Sequence, residues 1–183
     1  IFAFRQLSPT IGALSKNCIA EFEDKHFVLG NGDIYINDGM KIQSILPHKM
    51  RDYVFGNMNG DEFDKSFVVA DYGNTEIYAC YVSSSNTTNV QCDKALVWNW
   101  VNNTFTERDL PELSFIGYGS EGDPLSSASW SADTTTWANN SKNWNTAGAS
   151  AFSNTAGKSL VFVSSTDTKL YRHNTGNQKD TAS

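Results

Sequence analysis

Four times along the chain an alternating apolar run, a short turn of small polar residues and a second alternating run follow one another. That pattern admits little except antiparallel β structure, because side chains of a half-buried strand alternate between core and solvent. His26–Leu29, the turn GNGD and Ile34–Ile36 make the first unit, and Lys41–Leu46 supplies a further strand ended by Pro47. Ser66–Ala70, DYGNT and Glu76–Tyr81 make the second. Ala95–Trp100, VNN and Thr104–Arg108 make the third, and Leu160–Val163, SSTDT and Lys169–Arg172 the fourth. β-branched and aromatic residues dominate these runs, as a pleated surface favours.

Helix is expected at one place. In residues 48–58, Met50, Tyr53, Val54 and Met58 fall near a 3.6-residue spacing, and Gly56 with the following Asn-Gly limits the length. Residues 117–158 differ in kind. They are rich in Ser, Thr, Asn, Ala and Gly without sustained alternation, which predicts a long surface excursion. The chain therefore divides into a β region over 1–116, the excursion over 117–158 and a further hairpin over 159–183. Hairpins of one plan, each with an apolar strand, a tight turn and an aromatic-bearing strand, predict an all-β fold that forms part of a β-propeller. A β-sandwich is the alternative, since it accepts the same hairpins.

Charge and length exclude several roles. A net charge of −6 over 183 residues disfavours an electrostatic grip on nucleic acid. No apolar run approaches the roughly 20 residues that span a bilayer. The opening IFAFRQLSPT carries neither Met nor the pattern of a signal peptide, and the chain is expected to be part of something longer. Three cysteines do not make a disulfide framework; Cys80 and Cys92 could face each other across a hairpin, with Cys18 alone, but buried reduced thiols are the expectation. Glycosylation-type triplets at Asn86, Asn102 and Asn139 are expected by chance in a chain so rich in Asn, Ser and Thr.

The motifs that could carry chemistry are weak. Gly117–Gly122 matches a dinucleotide fingerprint as a string, but no helix follows to aim amides at a pyrophosphate. Ser131–Trp137 approximates a sialidase aspartate box, yet Thr135 stands where its turn needs Gly. Trp130, Trp137 and Trp144 recur every seven residues; such rings pin a loop to its domain or stack on a glycan. His26, His48 and His173 lie far apart, and no Cys or His occurs at metal-ligand spacing. Asn57, Asn59, Asp61 and Asp64 suggest a calcium loop but lack its bidentate Glu. The carboxylate pairs Asp61/Glu62 and Asp71/Glu76 fit turns and strand ends as well as acid–base work. No catalytic, cofactor or metal residue is nominated, and the chain reads as a non-enzyme.

Three blocks resemble the nozzle proteins of short-tailed phages, the tail tubular protein B type. They are Gly12–Lys16 with Asp24–Tyr35, Cys92–Trp100 with Asn102–Phe105 and Arg108–Pro111, and Thr168–Arg172. The resemblance implies a β-propeller-containing virion part, assembled in the bacterial cytoplasm into a ring of six in a longer protein. Tail adaptor and tail fibres would be its partners, and DNA would pass through without specific binding. A glycan-binding propeller or sandwich of a tail fibre or lectin, using the three tryptophans, is the alternative.

Overall fold

The computed structural model describes residues 6, 8–88, 90–119, 159–164 and 170–172. The excursion from 120 to 158, with Trp130, Trp137 and Trp144, lies outside the described residues, as does His173.

The fold is all-β, and the described residues form two antiparallel meanders. Strands β1 (Ile19–Phe22), β2 (Lys25–Leu29), β3 (Ile34–Asn37) and β4 (Ile42–Ser44) pair in chain order as one sheet. Helix α1 (His48–Asn57) and a 3₁₀ turn at Phe63–Lys65 lead to the second sheet. That sheet holds β5 (Phe67–Asp71), β6 (Glu76–Tyr81), β7 (Cys92–Asn99), β8 (Thr104–Gly119), β9 (Ser159–Ser164) and β10 (Leu170–Arg172), again in chain order.

Asx chemistry makes most of the turns. Asp38 Oδ1 accepts from the amides of Met40 and Lys41, and Asp71 Oδ1 from that of Gly73. Asn99 Oδ1 accepts from Val101 and Asn102. Each short side chain takes amides that the turn would otherwise leave to water. The β1–β2 turn is different. Glu23 and Asp24 both sit in the left-handed region, at φ 43° and 60°, the shape of a two-residue hairpin turn made without glycine.

The sheets pack face to face. Phe22, Phe27, Leu29 and Ile34 of the first sheet share a core with Ile77, Ala79, Tyr81, Leu96 and Trp98 of the second, closed by Leu46 and by Val54 of α1. Trp98 is the centre of this core. Its ring stands edge-on to Phe22 at 5.2 Å and stacks with Phe27 at 5.7 Å and Phe105 at 6.3 Å. Its indole N–H is satisfied by Asn103 Oδ1 at 3.1 Å.

Alternation predicts one buried face per strand, yet β6 is buried on both. Tyr78, Cys80 and Val82 enter a second core with Phe67, Cys92, Ala95, Val97, Leu110, Leu113 and Ile116. The cause is β8, which continues to Gly119 instead of ending near Arg108. Its first half pairs with β7 as far as Leu113, opposite Cys92, and from Leu113 onward it pairs with β9. Between Asp109 and Leu113 the register with β7 shifts in a bulge, so the missing amide of Pro111 falls where the ladder is already interrupted. Glu112 takes φ 49° at this bend. The sheet curls there into a half-barrel, and Phe115 comes within 5.8 Å of the Phe67 ring on β5. Gly117–Gly119, expected to open the excursion, are thus strand residues paired with β9.

Trp98→Ala should cost about 3–5 kcal/mol in urea unfolding, the range for deleting a large ring from a core. Trp100→Ala, whose ring lies at the surface end of the same cluster, should cost well under half of that. Equal losses would mean that the intersheet core is not centred on Trp98.

Candidate functional site

The turns β1–β2, β3–β4, β5–β6 and β7–β8 gather at one end of the two sheets, because both meanders run the same way. This end carries an aromatic ledge. Tyr72 of the β5–β6 turn stacks with Tyr118 of β8 at 6.4 Å and meets Trp100 of the β7–β8 turn edge-on at 6.2 Å. Tyr72 is 56% exposed and Tyr118 44%. Their hydroxyls are tied to backbone: Tyr72 donates to Glu21 C=O at 2.7 Å, and Tyr118 donates to Ala70 C=O. The Trp100 indole N–H donates to Glu23 Oε1 at 3.1 Å. The rings are therefore held in place while solvent still reaches them. Trp100, expected as a strand residue, stands in the turn instead.

A second polar cluster binds α1 to the curled sheet. Lys94 Nζ lies 2.7 Å from Glu107 Oε1 and 3.5 Å from Asp109. Tyr81 donates to the same Glu107 oxygen at 3.4 Å. Burial opposes ionisation of Glu107, but the Lys94 ammonium and the Tyr53 and Tyr81 hydroxyls outweigh it and hold the carboxyl below its ordinary range. Inside the half-barrel, Arg108 donates to the Tyr78 hydroxyl at 2.8 Å, lies 5.5 Å from that ring's centroid and reaches Glu76 at 3.5 Å. Burial pushes the hydroxyls of Tyr78 and Tyr81 upward, so both stay protonated donors. These groups serve as satisfied cross-links between strands.

The three cysteines are free and buried. Cys80 pairs in register with Ala95, three residues from Cys92. At the rise of a strand this offset separates their Cα atoms by about 10 Å, beyond the roughly 7 Å that a disulfide spans. The sequence-level possibility that they face each other is corrected on that ground. Cys18 and Cys92 instead donate to the carbonyls of Ser66 and Lys65, each at 3.3 Å. Burial pushes the Cys92 thiol up to about 12, that of Cys80 well above its ordinary value, and that of Cys18 upward.

The other candidates scatter. His48 pairs with Asp52 on the exposed side of α1 at 3.3 Å, and His26 is exposed on β2. Asn59 Oδ1 accepts from Asp61 N, an ordinary Asx turn. Asp71 organises its own turn, while Glu76 faces Tyr78 and Arg108. Among the described residues, no group of three or more His, Cys, Asp or Glu is placed to hold a metal ion. No helix among them is long and apolar enough to cross a membrane. The ledge itself went unnoticed in the sequence, although an aromatic beside a turn Asx, in Asp71-Tyr72 and Asn99-Trp100, is a visible signal. No protein-family model matches the chain, and no curated protein matches it.

Two outcomes are expected. The stabilisation from Glu107 should be complete above the ordinary carboxyl value of 4.5 and should fall away as pH drops through its lowered folded-state value. Urea midpoints measured against pH should show Glu107→Gln flattening this acid limb; an unchanged limb would remove Glu107 from it. A thiol at about 12 is only about one ten-thousandth thiolate at pH 8, so a disulfide dye should leave the native cysteines unlabelled and label all three in denaturant.

Proposed function

We propose that the chain is a non-enzymatic structural segment of a short-tailed phage tail, part of the nozzle ring through which the genome leaves. One observation carries this beyond the motif resemblance. The two meanders follow each other in the chain, pack face to face and bring their first strands, β1 and β5, together. Val68 N of β5 donates to Asn17 C=O, two residues before β1, at 2.8 Å. Successive blades of a propeller sit in this way, since radial repetition stacks meanders side by side with their first strands nearest the axis. On this reading the two sheets are neighbouring blades of a propeller, the second extended by β9 and β10.

The charge supports a conduit. Glu21, Glu23, Asp24 and Asp38 lie exposed at the turn end against Lys25 and Lys41, and a surplus of carboxylates repels phosphate rather than retaining it. Six copies in the longer protein would close the ring by heterologous contacts, with tail adaptor and fibres as neighbours. The aromatic ledge favours a second reading, a glycan-binding module, because exposed rings stack on the CH-rich faces of sugars.

Immunogold labelling with antibodies to this chain should mark the distal tube of short-tailed virions. Absence from purified virions would overturn the nozzle reading. Glycan-array binding abolished by Tyr72→Ala would favour the second reading instead.

A further inference from the structure

Asparagine followed by glycine is a chemically fragile step in a polypeptide, because no Cβ shields the glycine amide from the carboxamide beside it. The chain has two such steps, Asn31-Gly32 and Asn59-Gly60, and both continue into aspartate. Local sequence therefore gives the two nearly the same reactivity. The fold separates them.

To react, the glycine nitrogen must reach Cγ of the asparagine, so the peptide between them and the carboxamide must turn toward each other. Asn59 is held against this at three atoms. Its N–H donates to Val82 C=O at 2.9 Å, its C=O accepts from Glu62 N at 3.3 Å, and its Oδ1 accepts from Asp61 N at 3.1 Å. Asn31 lies exposed in the β2–β3 turn, whose ends are closed by Gly30 N donating to Asp33 C=O at 2.9 Å. Inside that closure, neither the peptide group joining Asn31 to Gly32 nor the Asn31 carboxamide makes a hydrogen bond among the described residues. The space beside Gly32 is open, since a Cβ placed there would meet nothing within 4 Å. Asp38-Gly39 could cyclise by the same route, but Asp38 Oδ1 accepts from Lys41 N and Met40 N. Those bonds hold its carboxyl below the ordinary range, as an unreactive anion.

We propose that Asn31 is a site of spontaneous modification, deamidating in the folded protein while Asn59 is protected. A solvent base takes the Gly32 amide proton, and the nitrogen forms a bond to Asn31 Cγ. The Cγ–Nδ2 bond breaks, and Nδ2 takes a proton from solvent and leaves as ammonia. Water then opens the cyclic imide. Opening at Cγ leaves aspartate, and opening at the main-chain carbonyl leaves isoaspartate, with the chain running through Cβ. Either product puts a new negative charge in the turn that holds Asp33, the carboxylate bound to Arg51 at 2.7 Å. Isoaspartate also lengthens the main chain between the buried Leu29 and Ile34. The tail reading is not needed for this inference.

The test is incubation of the full 183-residue chain in mildly alkaline buffer, folded or in urea, followed by tryptic digestion. Asn31 falls in the peptide His26–Lys41 and Asn59 in Asp52–Lys65. In the folded protein Asn31 should convert about tenfold faster, because Asn59 must first break its hydrogen bonds. In urea the two rates should converge. Fragmentation should place the products at position 31. Asn31→Gln, whose longer side chain closes the ring poorly, should lose the acidic species that ion exchange resolves from the aged wild type. Equal rates at Asn31 and Asn59 in the folded protein would overturn the proposal. So would an Asn31 that reacts only in urea, or an acidic species that forms as fast in Asn31→Gln as in wild type.

Discussion

The structure depends on a strand that is buried on both faces. Ile77, Ala79 and Tyr81 of β6 look into the aromatic core between the sheets, while Tyr78 and Cys80 look into the half-barrel. Burying each large apolar side chain contributes about 1.5–3 kcal/mol, so two cores sharing one strand concentrate the driving force in the middle of the second sheet. A strand with no wet face has nowhere to place charge. The charged groups are accordingly found at its ends and on its neighbours: Glu76 at the start of β6, Lys94 on β7, Glu107 and Arg108 on β8.

That arrangement decides the chemistry as well. Hydroxyls at the margin of the cores are bound by charged neighbours, Tyr78 by Glu76 and Arg108, Tyr81 by Glu107. The thiols sit where a thiolate would lack solvation, which is why burial raises all three. Side chains of reactive type thus act as fasteners. Among the described residues, the turn end is one exposed face, where Tyr72, Trp100 and Tyr118 form a fixed apolar ledge beside carboxylates.

Much of this was visible in the residues. The hairpins β2–β3, β5–β6, β7–β8 and β9–β10 follow from alternation plus turn chemistry, and α1 from its spacing of Met50, Tyr53 and Val54. Strand β1 was not, because its turn is Glu23-Asp24 and carries no glycine or asparagine to announce two left-handed residues. The length of β8 was hidden by Pro111, an ordinary strand breaker that is harmless in the bulge between Asp109 and Leu113. The continuous run IYACY in β6 did hold a sign of double burial, but a short apolar run is ambiguous until something is known to cover its second face.

Local sequence, then, determined the all-β class, most strand positions, the turn chemistry and the surplus of carboxylates, because each depends on residues close along the chain. Tertiary structure decided the rest. The facing of Trp98 onto Phe22 and Phe27, the separation of Cys80 from Cys92 and the meeting of Tyr118 with β5 all require distant segments to be brought together. The physical reason is the curl of the second sheet. A bend at one proline moves the end of β8 back across the half-barrel, and no pattern within β8 or β5 alone records that they will touch.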